Sequence, residues 1–260
     1  MNAVLPEITE ADATGVTAKI YEDIRQCLHV KNVNLIYRYF ATIDGVLPWV
    51  WRVIKPHFAS GELQKYSQAS RSLYQTNFLR TATPTSTRLT EVERKGIADI
   101  LDFYLTTNPI NLFALQILNR AFAVQHIESS HPQNQLLPVT RIRQAAATRQ
   151  FDSTSHELMF YVSQGLDHIR PTLLRQLADW PEYVNSIAEF VRTLSCEGDF
   201  ENQTNSIYEY AARETSSFDF VQTMPLPSVE ALEEIELFCH YFPRILIRMT
   251  VIANRLRMML

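Results

Sequence analysis

Glycine is scarce here, at 6 of 260 residues, well under an average of roughly 7%. Hairpin turns and phosphate-cradling loops both depend on glycine's freedom at positive φ. Its shortage argues against β-rich folds and nucleotide-binding loops, and for helices. Cysteine is scarcer still: Cys27, Cys196 and Cys239 lie far apart, form no CxxC pair and match no disulfide framework. Basic surplus is absent too, with 24 Lys and Arg against 28 Asp and Glu, so no nucleic-acid footprint is expected. The longest apolar runs, VLPWVWRVI and FPRILIRMTVIANRLRMML, are broken by arginines and too short to span a bilayer. MNAVLPEITEADATG carries acids and no apolar signal core. These absences lead to the expectation of a cytoplasmic protein with no nucleic-acid or membrane partner.

The motifs of common chemistries are missing as well. No HExxH occurs, His126 and His131 stand five apart across a polar break, and no GxSxG is present. No metal and no cofactor is expected.

What the chain does have is helical periodicity. Val16, Ile20, Ile24 and Leu28 recur on one helix face. Leu35 to Ile54 reads as helical with a hinge at Asp44-Gly45 and Pro48, and Gly61 opens another helical run. Thr90-Glu91-Val92-Glu93 is a capping box. Asn108-Pro109 reads as a cap with proline at the first helical position, opening NPINLFALQILNRAF. A Thr/Pro/Ser loop at 81–87 and a polar stretch from Glu128 to Ser155, with a short helix near 141–149, separate the runs. No useful strand alternation appears, so the fold class expected is all-α, with a first helical repeat at 1–127, a linker at 128–155 and a second repeat at 156–260.

The repeat rests on matches that fall in order. Leu35-Ile36-Tyr37-Arg38-Tyr39-Phe40-Ala41 lies over Thr172-Leu173-Leu174-Arg175-Gln176-Leu177-Ala178. Ser72-Leu73-Tyr74 lies over Ser206-Ile207-Tyr208, Asn108-Pro109 over Phe242-Pro243, and Asn119-Arg120 over Asn254-Arg255. Each half alone would expose an apolar helix face, so the two are expected to pack as a single-chain pseudo-dimer about a pseudo-twofold axis. A ligand would sit at the seam between them.

The segments YEDIRQCL, VNLIYRYFATIDGVLPWVW, NPINL and RPTLLRQLADWPEYV are similar to the group I 2-haloacid dehalogenase family, and the repeats resemble the alkylhydroperoxidase-D-like helical fold. The latter's redox chemistry needs a CxxC dithiol, which this chain lacks. The dehalogenase resemblance implies hydrolytic loss of halide from C2 of a short haloacid, without metal or cofactor. An aspartate at the head of the second repeat would activate a water that attacks C2 with inversion. An asparagine of the first repeat, Asn111 here, would help hold water or substrate. The family's acid is expected just before the second Arg-x-x-Ala, but Pro171, Thr172, Leu173 and Leu174 stand there. The nearest carboxylate is Asp167, eight residues before Arg175, and it is the candidate base.

Other candidates come from the residues themselves. Asn34 precedes the first repeat's Leu-Ile-Tyr and either caps a helix or faces the seam. Thr172 either caps its helix or offers its hydroxyl to ligand or water. Tyr241 is either a phenol donor or core packing. Arg38 and Arg175 could carry charge to an anionic ligand or bridge to Asp44 and Asp179. Arg244, Arg248 and Arg255 read as a solvated stripe. Helix N-termini at Pro109, Pro171 and Pro243 could offer free amides to a carboxylate. The partner expected is a small anionic organic acid, with a homodimer open. The alternative function is a family member without the base, serving as a small-molecule binder or interaction protein.

Overall fold

In the computed structural model the described residues are 3–75, 88–129, 141–147, 150–164, 166, 169–218 and 226–260. Ten α-helices account for most of them, and the all-α expectation holds. They are α1 (Gly15–Leu28), α2 (Leu35–Phe40), α3 (Val46–Ala59), α4 (Glu62–Ala69), α5 (Glu91–Ser129), α6 (Ser153–Val162), α7 (Thr172–Leu177), α8 (Pro181–Cys196), α9 (Gly198–Glu214) and α10 (Val229–Met259). Helices α2 and α7 are each six residues long, and the two longest, α5 and α10, each carry an internal proline. Among the described residues no helix is long and apolar enough to cross a membrane.

Helix starts follow local chemistry. Gly45 and Gly61 take left-handed backbone at φ +72° and +76°, turning the chain into α3 and α4. The capping box forms: the Thr90 amide donates to Glu93 at 2.8 Å and the Glu93 amide donates to the Thr90 hydroxyl at 3.2 Å. The Thr90 amide and then its hydroxyl, both donating to the Glu93 carboxylate, hold that carboxyl below its ordinary pKa. On α1, Ile20, Ile24 and Leu28 are buried as the periodicity predicts, while Val16, in the first turn, stays exposed.

The centre is α5 against α10, and here the sequence reading needs correction. Asn108-Pro109 does not open a helix; α5 runs through it from Glu91 to Ser129. Likewise α10 runs unbroken through Pro243. Neither proline therefore supplies a free helix N-terminus. Each instead removes one donor, leaving the carbonyl four residues earlier without its helical partner. For Pro243 that is Cys239, and Asn119 of α5 donates its amide to that carbonyl at 3.0 Å. In the other direction Asn254 of α10 donates to the Tyr74 carbonyl at 3.0 Å. Asn119 thus ties α5 to α10, and Asn254 ties α10 to the short 3-10 turn Arg71–Tyr74 that follows α4. Asn119→Ala should strand the Cys239 carbonyl, which is buried, and cost about 1–3 kcal/mol. Urea unfolding would show this as a lower midpoint; an unchanged midpoint would mean another donor serves that oxygen.

The segment near 141–147 is not helical. Ala145–Ala146 (β2) pairs antiparallel with Ala3–Val4 (β1), with Ala3 opposite Ala146. Arg143 anchors it: its backbone amide and Nε donate to Glu234 at 3.0 and 2.8 Å, and Nη1 donates to the Thr42 carbonyl. Glu234, almost fully buried on α10, also accepts from the Tyr39 phenol at 2.6 Å. One carboxylate so joins α2, α10 and the crossing segment. The Thr/Pro/Ser loop at 81–87 lies outside the described residues, as do residues 130–140, 148 and 149 of the polar stretch expected as a linker.

Candidate functional site

Because α5 is continuous through Pro109, Tyr104, Thr107, Asn108 and Asn111 share one helix face, spaced three, four and seven apart. That face is buried, and its polar groups meet α2 and α7. Asn34, at the head of α2, makes no side-chain cap; its amide donates to the Thr107 hydroxyl at 3.0 Å. Tyr37 donates its phenol to Asn111 Oδ1 at 2.9 Å. Thr172, the first residue of α7, lies beside the Tyr104 phenol; burial pushes that phenol up to about 12, and Thr172 draws it back down. Tyr37 is wholly enclosed, and its phenol is likewise driven up by burial.

The amides are not all satisfied. Asn34 Oδ1, both polar atoms of Asn108 and Asn111 Nδ2 are buried with no hydrogen-bond partner. Asn111 is fully buried and Asn108 is 1% exposed. Buried polar groups are almost always paired, and each left open costs about 1–3 kcal/mol. Four such atoms fall on three neighbouring asparagines, on one buried face. The donors and acceptors on that face are neutral amides and hydroxyls, which bind and orient rather than accept a proton.

Of the residues singled out from sequence, the structure brings Asn34, Asn111 and Thr172 to this one face. Tyr241 sits half-buried on α10 with its ring edge-on to His240, and no described hydrogen bond ties it to the amides. Asp167 lies outside the described residues. Asn108, read as a cap, is instead a buried amide of the cluster. Tyr37, Tyr104 and Thr107 were missed; their signal was the single face of an unbroken helix, hidden once Pro109 was read as a helix start. Leu173 and Leu174, where an acid was expected, turn into the core.

The symmetric arginines resolve differently from expectation. Arg38 and Arg175 both pair with Glu7, at 3.1 and 3.2 Å, rather than being held as bridges by Asp44 and Asp179 alone. Arg248 leaves the supposed solvated stripe: it is 3% exposed. It donates to Glu201 at 3.0 Å and to the carbonyls of Tyr161 and Ser195, and stacks over Phe200. Around it is a cleft of about 280 Å³ lined by Phe160, Tyr161, Gln164, Ser195, Glu201 and Arg248. Among the described residues no group of three His, Cys, Asp or Glu side chains is arranged to hold a metal ion.

No protein-family model matches this chain, and no curated protein matches it. Solved structures do. The chain is similar to a D-2-haloacid dehalogenase mutant in complex with D-2-CPA, at 16% identity and a TM-score of 0.64, over 97% of this chain and 96% of that one. A further D-2-haloacid dehalogenase mutant matches at 16% identity and a TM-score of 0.66, with the same coverage. The likeness is one of fold, and it runs the length of the chain.

Proposed function

With a haloacid dehalogenase-like fold as the starting point, we propose that this chain binds a short carboxylic acid where its two helical halves meet and hydrolyses 2-halo acids there. The observation that carries this reading is the set of open, buried amide atoms on Asn34, Asn108 and Asn111. They would hold the acid and an attacking water, with the Tyr37 and Thr172 hydroxyls alongside. Asp167 is the base in this reading. Its carboxylate takes a proton from water as the water oxygen bonds to C2; the carbon–halogen bond breaks on the opposite side, and halide leaves with the electron pair. The product is the inverted 2-hydroxy acid, and Asp167 returns its proton to solvent.

A second reading, binding without turnover, is favoured by one specific feature. The head of α7 presents a threonine hydroxyl and two core leucines where the resemblance calls for a carboxylate. Halide release from racemic 2-chloropropionate decides between the two. Hydrolysis predicts chloride release by the wild type, and its loss in Asp167→Asn with binding retained. Binding that leaves chloride undetected over a panel of haloacids would sink the hydrolase and leave the binder.

A further inference from the structure

The N-terminal arm, residues 3–12, crosses from one half of the chain to the other. Its β1 pairs with β2, and Leu5 is buried. The Ile8 amide donates to the Arg38 carbonyl at 3.1 Å, and the Ile8 carbonyl accepts from Tyr21. In its middle Glu7 places one oxygen on Arg38 of α2 and the other on Arg175 of α7.

Those two arginines occupy matching positions in the sequence repeat, so one carboxylate is shared by guanidiniums from both halves. The arrangement is a loose one. The contacts at 3.1 and 3.2 Å exceed the roughly 2.7–2.9 Å of tight charge-assisted pairs. A guanidinium fork can take a carboxylate through two parallel bonds, whereas Glu7 spends one oxygen on each. Arg38 Nε remains buried without a hydrogen-bond partner. The side chains of Glu7, Arg38 and Arg175 are 19%, 23% and 27% exposed, while Glu7 Oε2, the oxygen facing Arg38, is itself buried without a hydrogen bond. The cluster is also continuous with the amide face: Arg38, Arg175 and Glu7 all act electrostatically on Tyr104, which neighbours Thr172.

We infer that Glu7 is an internal stand-in for a carboxylate ligand, and that an external carboxylate displaces it from between Arg38 and Arg175 and frees the N-terminal arm. This rests on the reading that the seam takes a short acid, and it adds the anion-binding end of that site and a strap that opens as the site fills. Two carboxylates compete for one pair of arginines, so occupancy by Glu7 weakens the apparent affinity for the ligand. Emptying a site nine-tenths filled by its own competitor raises affinity about tenfold.

The test uses propionate, which has no halogen to lose, at constant ionic strength set with sodium chloride. Calorimetric titration should show Glu7→Gln binding propionate about tenfold tighter than wild type. Glu7→Asp, with a shorter reach, should fall between, and it serves if the glutamine variant folds poorly. In wild type, saturating propionate should speed hydrogen exchange at the Ile8 amide, and chloride alone should not. Equal affinities for wild type and both variants, or the same exchange response to chloride, would overturn the inference. So would propionate binding that leaves Ile8 protected, or no propionate binding at all. Failure of the hydrolase reading looks different: no chloride release from 2-chloropropionate, with the Glu7 effects intact.

Discussion

Asn108→Leu should make the protein more stable and abolish the proposed binding of a short acid. Asn108 is 1% exposed, and neither its carbonyl nor its amide nitrogen has a partner. An unpaired buried polar group costs about 1–3 kcal/mol, and replacing it by an apolar group of similar shape removes that cost. Leucine is also a better helix former than asparagine in mid-helix. A gain of about 1–3 kcal/mol in unfolding free energy is expected, seen as a higher urea midpoint at unchanged slope. Propionate or 2-chloropropionate, which should raise the wild-type midpoint by mass action, should leave this variant's midpoint where it was. Strain kept at a site for the sake of its ligand has this signature, stability rising as function is lost. A destabilised variant that still binds the acid would mean that the Asn108 amide is already satisfied, and would take it out of the site.

Arg248→Met should act in the opposite direction, lowering stability by about 3 kcal/mol. Methionine keeps most of the apolar volume over Phe200, so the cost is chiefly polar. Arg248 serves the carbonyls of Tyr161 and Ser195, which belong to the last turns of α6 and α8. Final-turn carbonyls have no partner inside their own helix. One guanidinium therefore ties two helix ends to α10, sharing the Tyr161 carbonyl with the Gln164 amide, which donates to it at 3.4 Å. Glu201, 42% exposed on its side chain, can turn to water once the arginine is gone and adds little to the loss. The readout is the urea midpoint with far-UV circular dichroism. A loss under about 1 kcal/mol would show that the Gln164 amide and water entering the neighbouring cleft satisfy both carbonyls.

The places where sequence reading stopped short share one cause. Pro109 and Pro243 look locally like helix starts, because proline suits a first turn and asparagine suits a cap. Tertiary packing overrode that preference. With α5 and α10 buried against each other, an interrupted helix would have left more backbone unpaired than one proline does, and Asn119 makes good the Cys239 carbonyl. Reading α5 as two pieces then split Tyr104 and Thr107 from Asn108 and Asn111, and so concealed the face they form. Glu7 and Glu234 could not be foreseen at all. Their partners Arg38, Arg175, Tyr39 and Arg143 are distant in the chain, and no local spacing encodes such pairs.

Glycine scarcity and apolar periodicity were enough, without coordinates, to establish a helical protein, and the capping box at Thr90 was legible to the residue. Those properties are local: they depend on backbone freedom and on which side chains recur every three or four positions. Which asparagines are buried, which arginine leaves the surface and which carboxylate joins α2 to α7 were decided only when the helices packed. Burial and pairing belong to the contacts between elements, and one helix's sequence carries no record of the surface it will meet.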